Sequence, residues 1–314
     1  MNSTRIRNSR LGIGLAAIGR PGYINLGHAS DLAGRTDEES MRTGAHAVLD
    51  SAYALGIRYF DAARSYGMAE AFLAGWLQRR GLAPPEITVG SKWGYTYTAN
   101  WKVHAHVHEV KDLSVGSFRR QFAESREILG SNLGLYQIHS ATLESGVLDD
   151  RAVLGDLALL RASGVSIGLS VTGPKQADTI ERALEIGGFD AVQATWNLLE
   201  QSAGASLAAA HSAGLVVIVK ESLANGRLTS RGPFSGLTEA ARRINSTPDA
   251  LALAAVLAQP WADVVLSGAT TVSELTSNTS ALALNPEPDL LELLEPIRED
   301  PAAYWETRAA LPWN

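Results

Sequence analysis

Four polar residues stand at, or just beyond, the carboxyl ends of short apolar runs: Asp61, Tyr66, Lys92 and His139. Asp61 closes the run Ile57–Asp61, Lys92 closes Ile87–Lys92 and His139 closes Leu135–His139, while Tyr66 lies in the segment that follows Asp61. A tyrosine can give or take a proton at a substrate oxygen, but its ordinary pKa of about 10 is too high for efficient exchange at neutral pH. A neighbouring ammonium stabilises the phenolate and lowers that value. Lys92 can supply the ammonium, Asp61 can hold Lys92 charged and oriented, and His139 can hydrogen-bond a substrate oxygen or relay a proton. Each also has a plainer reading when taken alone: a structural Asp61–Lys92 ion pair, a hydrogen-bonded core histidine, an ordinary loop tyrosine. Only convergence in space turns the set into a reactive centre.

The elements that must position them can be read from the pattern of apolar runs. Eight occur, at Leu11–Ala17, Ile57–Asp61, Ile87–Lys92, Leu135–His139, Val165–Val171, Ala191–Trp196, Leu215–Lys220 and Val264–Gly268. Each is continuous rather than alternating, as expected of parallel strands covered on both faces. Stretches with helical spacing separate them. Glu38–Leu55 carries Met41, Ala45, Val48, Leu49 and Ala52 on one stripe, and Val115–Leu129, Val153–Ala162, Lys175–Ile186, Ala203–Ala213 and Thr247–Gln259 read similarly. Thr247-Pro248-Asp249 reads as an N-cap followed by a first-turn proline. Several helices end in glycine before the next strand, at Gly56, Gly164 and Gly214.

Eight strand–helix units in 314 residues predict an α/β fold, a (β/α)8 TIM barrel. No G-x-G-x-x-G opens a helix after the first strand, which disfavours an open dinucleotide-binding sheet. Residues 1–314 read as one barrel domain, with a proline-marked tail from 285 to 314 on the outside or mouth. The longest irregular stretches, Arg20–Thr36 and Trp93–Ser114, both follow strands, so in a barrel they lie over the carboxyl-end face where ligands bind.

Composition narrows the chemistry. The 46% apolar content sustains a large core, and the net charge of −6 argues against nucleic acid as a partner. The chain has no cysteine. Disulfides, thiolate metal sites and cysteine nucleophiles are therefore excluded, and a reducing cytoplasmic location is expected. No apolar run approaches the length of a membrane span, and the start lacks the apolar core of a signal peptide.

The ordered set of motifs resembles the aldo-keto reductase superfamily, in particular a bacterial branch related to aldose dehydrogenases. The matching pieces are Asp61-Ala-Ala-Arg-Ser-Tyr66-Gly-Met-Ala-Glu70, Ser91-Lys92, the segment Asp112–Phe118 leading into a helix that ends at Gly130, Tyr136-Gln-Ile-His139, Gly168-Leu-Ser170, Gln193-Ala-Thr-Trp-Asn197, Leu223-Ala-Asn-Gly226, and Gly268-Ala-Thr-Thr followed by Asn278. They span almost the whole chain. The resemblance implies an NAD(P)(H)-dependent oxidoreductase that interconverts a carbonyl and an alcohol on a small molecule, here a sugar-like or ring substrate. It assigns Tyr66 as general acid/base, Lys92 and Asp61 as the residues that tune it, and His139 as the one that orients substrate. The nicotinamide supplies the hydride chemistry and the protein positions it.

The same resemblance places Ser170 and Gln193 at the nicotinamide carboxamide. Leu223 and Asn225 fall at the pyrophosphate with Arg227 as a charge partner, and Gly268, Thr270, Glu274 and Asn278 at the adenosine end. Two positions depart from the family pattern. Val171 stands where asparagine is common, and Lys220 replaces the aromatic that stacks on nicotinamide. Lys220 could contact cofactor phosphates, pair with Glu221 at the surface, or sit in the substrate pocket, and Trp196 could replace the missing aromatic or pack in the core. No Lys or Arg occurs between Trp261 and Ile297, and Glu274 can accept ribose hydroxyls while repelling a 2′-phosphate. Use of NAD(H) at least as well as NADP(H) is expected.

Substrate-side candidates are Tyr23, Trp93, Tyr95, Tyr97 and Trp101 from the two long loops, together with Trp196. His104, His106 and His108 alternate on an extended segment and could face a metal, but no Asp or Cys is placed to complete such a site, so no metal is expected. Two rival readings remain for the whole chain: a nicotinamide-binding barrel with little turnover acting as a sensor or accessory subunit, and an NAD-retaining epimerase. The sequence sets no oligomeric state.

Overall fold

The computed structural model describes residues 9–314. Residues 1–8, which the sequence reading includes in the barrel domain and in its search for a signal segment, lie outside the described residues. The chain enters β1 (Leu11–Gly14), crosses a long loop carrying the short α1 (His28–Leu32), and continues through α2 (Glu38–Ala54), β2 (Tyr59–Asp61), α3 (Ala69–Arg80) and β3 (Thr88–Trp93). A hairpin of β4 (Tyr95–Tyr97) and β5 (Glu109–Lys111) precedes α4 (Val115–Leu129). Next come β6 (Leu133–Ala141), α5 (Arg151–Ala162), β7 (Ser166–Val171), α6 (Gln176–Ile186), β8 (Ala191–Thr195), α7 (Gly204–Ser212) and β9 (Val216–Lys220). The chain closes with α8 (Ser235–Arg243), α9 (Pro248–Leu257), β10 (Val264–Ser267), α10 (Val272–Thr279), α11 (Pro288–Glu292) and α12 (Pro301–Ala309).

Eight strands form a closed parallel barrel in the order β1-β10-β9-β8-β7-β6-β3-β2. The expected (β/α)8 barrel is present, and every apolar run read from the sequence supplies a barrel strand. The runs are continuous because both strand faces are buried. Tyr59, Leu135, Ala191, Val216, Ile218, Val264 and Leu266 cluster inside the barrel. Their strand neighbours Phe60, Tyr136, Val192, Val217 and Val265 join the larger layer against the helices. The β4–β5 hairpin lies in a stretch that the sequence reads as irregular. Its strands are three residues long with no buried residue, too short for a periodic signal.

The helices follow their sequence cues. Asp37 accepts a hydrogen bond from Ser40 N at the start of α2, whose buried stripe is the expected set. Thr247 caps α9 with Pro248 in the first turn. The tail runs to the barrel mouth. Asn314 exchanges backbone hydrogen bonds with Tyr23 (3.0 and 3.1 Å), and its side chain reaches Asn25 O (2.9 Å) and Ala29 N (3.1 Å). Among the described residues no helix is long and apolar enough to cross a membrane.

Candidate active site

Asp61 and Lys92 meet because β2 and β3 are neighbours in register, and the chain leaving β2 continues along β3 through Ala62 N→Gly90 O (2.8 Å) and Arg64 N→Lys92 O (3.0 Å). Their side chains form an ion pair that is almost wholly buried. Asp61 is held on its other oxygen by Tyr59 Oη (3.1 Å), Gln193 Nε2 (3.1 Å) and Gln137 Nε2 (3.3 Å). Gly90 makes this possible, since a Cβ there would sit 2.4 Å from the Tyr59 hydroxyl. The ammonium of Lys92 also donates to Ala62 O (3.1 Å) and lies 3.4 Å from the Tyr66 hydroxyl.

Tyr66 is aimed by a close approach of two glycines. Met68 N donates to Gly19 O (2.7 Å), and Gly67, at φ +60°, passes so near that a Cβ would meet that same oxygen at 2.5 Å. The motif residues Arg64 and Glu70 brace the loop, paired at 2.6 Å, while Glu70 also accepts from Ser125 Oγ (2.7 Å). His139 arrives at the end of β6, where the ladder with β7 breaks register after Ile138. Its Nε2 lies 3.4 Å from Tyr66 Oη and its Nδ1 is buried without a partner. The four predicted residues therefore converge.

The electrostatics differ from the expectation in one respect. Burial first, and then the Asp61 carboxylate, push the Tyr66 phenol up rather than down. The Lys92 ammonium is already paired with Asp61, and the cation that most opposes the rise is Arg20. Arg20 is buried with its guanidinium 5.2 Å from the Tyr66 ring centroid, fixed by Ser65 O (3.0 Å) and Glu109 (2.9 Å). His139 is held well below its ordinary value by burial and then by Lys92, Lys220, Arg20 and Lys111. The centre thus presents a protonated phenol and a neutral imidazole.

These groups open into a cavity of about 620 Å³ that runs along the carboxyl-end face to Gly268, Thr270, Glu274 and Asn278. Of the predicted cofactor residues, Gln193, Lys220, Leu223, Asn225, Gly268, Thr270, Glu274 and Asn278 line it. Two do not. Ser170 is buried and accepts from Ser140 N (2.8 Å), and Arg227 is committed to an ion pair with Glu299. Asn278 lies 2.8 Å from Ser267 Oγ, bracing the end of β10. Glu274 is not a free carboxylate. It caps its own helix by accepting from Thr270 N (2.8 Å) and Thr271 N (3.3 Å), and its other oxygen faces Arg231 at 3.4 Å. Lys220 is not in a surface pair. Its side chain is 15% exposed, and its ammonium donates to Thr195 Oγ1 (2.8 Å) and lies 3.8 Å from Glu221.

Of the aromatic candidates, Tyr23 and Tyr95 line the cavity. Trp93 is wholly buried against Phe118, Trp101 packs on Phe72 and donates to Thr36 O (2.8 Å), and Trp196 packs edge-on to Trp261. These three fill gaps between elements and are corrected to packing residues; Tyr97 is likewise away from the wall. Among the described residues no three His, Asp or Glu converge as a metal site. His108 instead stacks on Trp313, with centroids 3.8 Å apart.

Residues missed by the sequence reading are Arg20, Asp31, Glu109, Arg231, Arg308 and Trp313, all on the cavity wall. The available signal was the two long loops Arg20–Thr36 and Trp93–Ser114, which hold Arg20, Asp31 and Glu109, and the tail expected on the outside or mouth, which holds Arg308 and Trp313; Arg231 lies in none of these segments. Arg231 is paired with Asp31 and donates to Leu26 O (2.9 Å), and Leu26 N donates to Asn225 O (2.9 Å), so the loop after β1 is strapped to the loop after β9. A dinucleotide fits this wall. A Cβ at Gly268 would meet nothing, and the lining extends from there to Asp61, Tyr66 and His139.

A model of the Aldo/keto reductase family matches residues 10–295. D-threo-aldose 1-dehydrogenase of a Pseudomonas species is 26% identical over 249 residues, which cover 74% of this chain and 72% of its own. Among solved structures, an aldo-keto reductase of Bacillus halodurans in its holo form superposes with a TM-score of 0.71 at 21% identity, covering 93% of each chain. A glycerol dehydrogenase of Gluconobacter oxydans gives 0.70 at 20% identity, covering 92% of this chain and 91% of its own. The two structures share the barrel.

Proposed function

Since the chain belongs to the aldo/keto reductase family, and is thereby an NAD(P)-dependent oxidoreductase, we propose that it interconverts a carbonyl and an alcohol on a sugar-like or small ring substrate, with Tyr66 as the proton donor and acceptor. The observation that carries this reading is the cluster in which Tyr66 Oη stands 3.4 Å from both Lys92 Nζ and His139 Nε2. The nicotinamide, when bound, supplies or takes the hydride. In reduction Tyr66 would give its proton to the substrate oxygen, and in oxidation its phenolate form would take the hydroxyl proton. His139, kept neutral by burial and four surrounding cations, donates a hydrogen bond to that oxygen or accepts one. Lys92, locked to Asp61, stabilises the phenolate that remains after proton donation. The aromatic walls Tyr23, Tyr95 and Trp313 suit C–H faces of a ring and exclude water.

Support for the substrate class comes from the aldose dehydrogenase relative and from these walls. NAD(H) is the favoured cofactor. The adenosine end carries Asp31 and Glu274 against Arg231 alone, a net negative wall that accepts ribose hydroxyls and repels a 2′-phosphate. The test compares wild type with Tyr66→Phe on a panel of aldoses. Loss of turnover by at least about a thousandfold with nicotinamide binding retained fits the reading. Full turnover in Tyr66→Phe overturns it.

A further inference from the structure

We infer that Lys220 biases the bound nicotinamide toward its reduced form. This rests on the functional reading above, because hydride transfer at a carbon whose oxygen is served by Tyr66 requires the nicotinamide ring at the Tyr66 end of the cavity. That end is walled by His139, Gln193 and Lys220. The oxidised ring carries a positive charge and the reduced ring none. Any positive charge without a compensating partner in this wall therefore weakens binding of the oxidised form selectively, whatever the exact ring orientation.

Lys220 carries such a charge. Around the reactive centre Lys92 is matched by Asp61 and Arg20 by Glu109. Glu221 is claimed by Arg308, which makes two hydrogen bonds to its carboxylate. Against the burial that would raise it, Arg308 and then Lys220 hold Glu221 down to about 2, so it stays ionised. Lys220, the next residue along the chain, must share it from 3.8 Å. Its other close neighbours bring no negative charge: Thr195 Oγ1 at 2.8 Å and the Trp305 ring, whose centroid is 5.6 Å away. The groups that act on it from the packed elements are Glu221 and Asp61 on the negative side and Arg308 and Lys92 on the positive side, with His139 neutral. The result is a surplus ammonium on a wall that contacts the cofactor.

Burial, followed by the net effect of these neighbours, brings the Lys220 ammonium down to about 8. The bias is therefore present below that pH and fades above it.

The test measures dissociation constants of the oxidised and reduced forms of each nicotinamide dinucleotide by fluorescence titration of the full chain. Variants are Lys220→Met, Lys220→Gln (which keeps a hydrogen-bonding group for Thr195) and Lys220→Arg. In wild type near pH 7 the reduced form is preferred, and either neutral variant lowers that preference by about tenfold. Raising wild type to about pH 9.5 lowers it similarly, while Lys220→Arg keeps it at both pH values, because guanidinium stays charged. An unchanged ratio in both neutral variants overturns the inference and leaves the functional reading intact. Failure of every nicotinamide form to bind overturns both.

Discussion

Arg231 and Glu274 face each other at 3.4 Å across the far end of the cavity, the first on the loop after β9 and the second in the first turn of α10. The stretch Trp261–Ile297 is free of basic residues, yet the fold brings a cation to it from another loop. That cation is already engaged by Asp31, so two carboxylates face one guanidinium. Steady-state kinetics should show NAD(H) used at least as well as NADP(H). Glu274→Gln removes one of the two negative charges and should raise NADP(H) efficiency relative to NAD(H) by about tenfold. A wild-type preference for NADPH above about a hundredfold, some 2.7 kcal/mol, contradicts this account.

Arg20 lies over the Tyr66 ring and is the strongest influence drawing its pKa down, against burial and Asp61. Replacing it by methionine also leaves Glu109 unpaired beside the phenol. In alcohol oxidation, where Tyr66 must accept a proton, the acidic limb of kcat/KM should move to higher pH in Arg20→Met. Restoring the charge balance with Arg20→Met/Glu109→Gln should return part of that shift. A limb that stays in place in the single variant removes Arg20 from the tuning of Tyr66.

Trp313 closes the mouth, stacked on His108 and lying 4.8 Å from the Arg20 guanidinium. It lines the cavity near Arg20, at the Tyr66 end rather than the Gly268 and Glu274 end. Trp313→Ala should raise KM for substrate by about tenfold through lost apolar contact and leave the dissociation constant of the cofactor unchanged. Parallel loss of cofactor affinity would instead make Trp313 a support for the whole mouth.

His28 is buried in the loop over the mouth, and burial, opposed by Asp31, brings its pKa from 6.5 down to about 4. Above pH 6.5 both folded and unfolded states carry it neutral, so it has no effect on stability. Below that, the unfolded state takes up a proton that the folded state refuses, and stability falls until about pH 4. The loss amounts to about 3 kcal/mol at most. Urea melts of wild type and His28→Gln compared near pH 7 and near pH 5 should show the variant losing less stability on acidification. Equal acid loss in both places the sensitivity elsewhere.

Much of the site was legible in the sequence for a physical reason. A barrel strand buried on both faces must be a continuous apolar run, so the polar residue that ends it is conspicuous, and Asp61, Lys92 and His139 each end one. Their mutual approach follows from the parallel order of β2, β3 and β6. Asn225 and Gly268 were expected at the cofactor only through the family resemblance, and both reach the cavity wall. Aromatic loop residues were not legible, because Trp93, Trp101 and Trp196 have the same composition signal whether they meet a ligand or fill a gap between helices.

By itself the sequence determined the barrel, through the count and character of its apolar runs, and marked Asp61, Lys92 and His139 at their ends, with Tyr66 just beyond the first. The tertiary structure decided the charge environment. Which cation acts on Tyr66, whether Glu274 is free, and whether Lys220 has a carboxylate of its own depend on contacts between loops far apart in the chain. Coulomb interactions and desolvation depend on distance in space, and spacing along the chain does not fix that distance once the loops leave the strands.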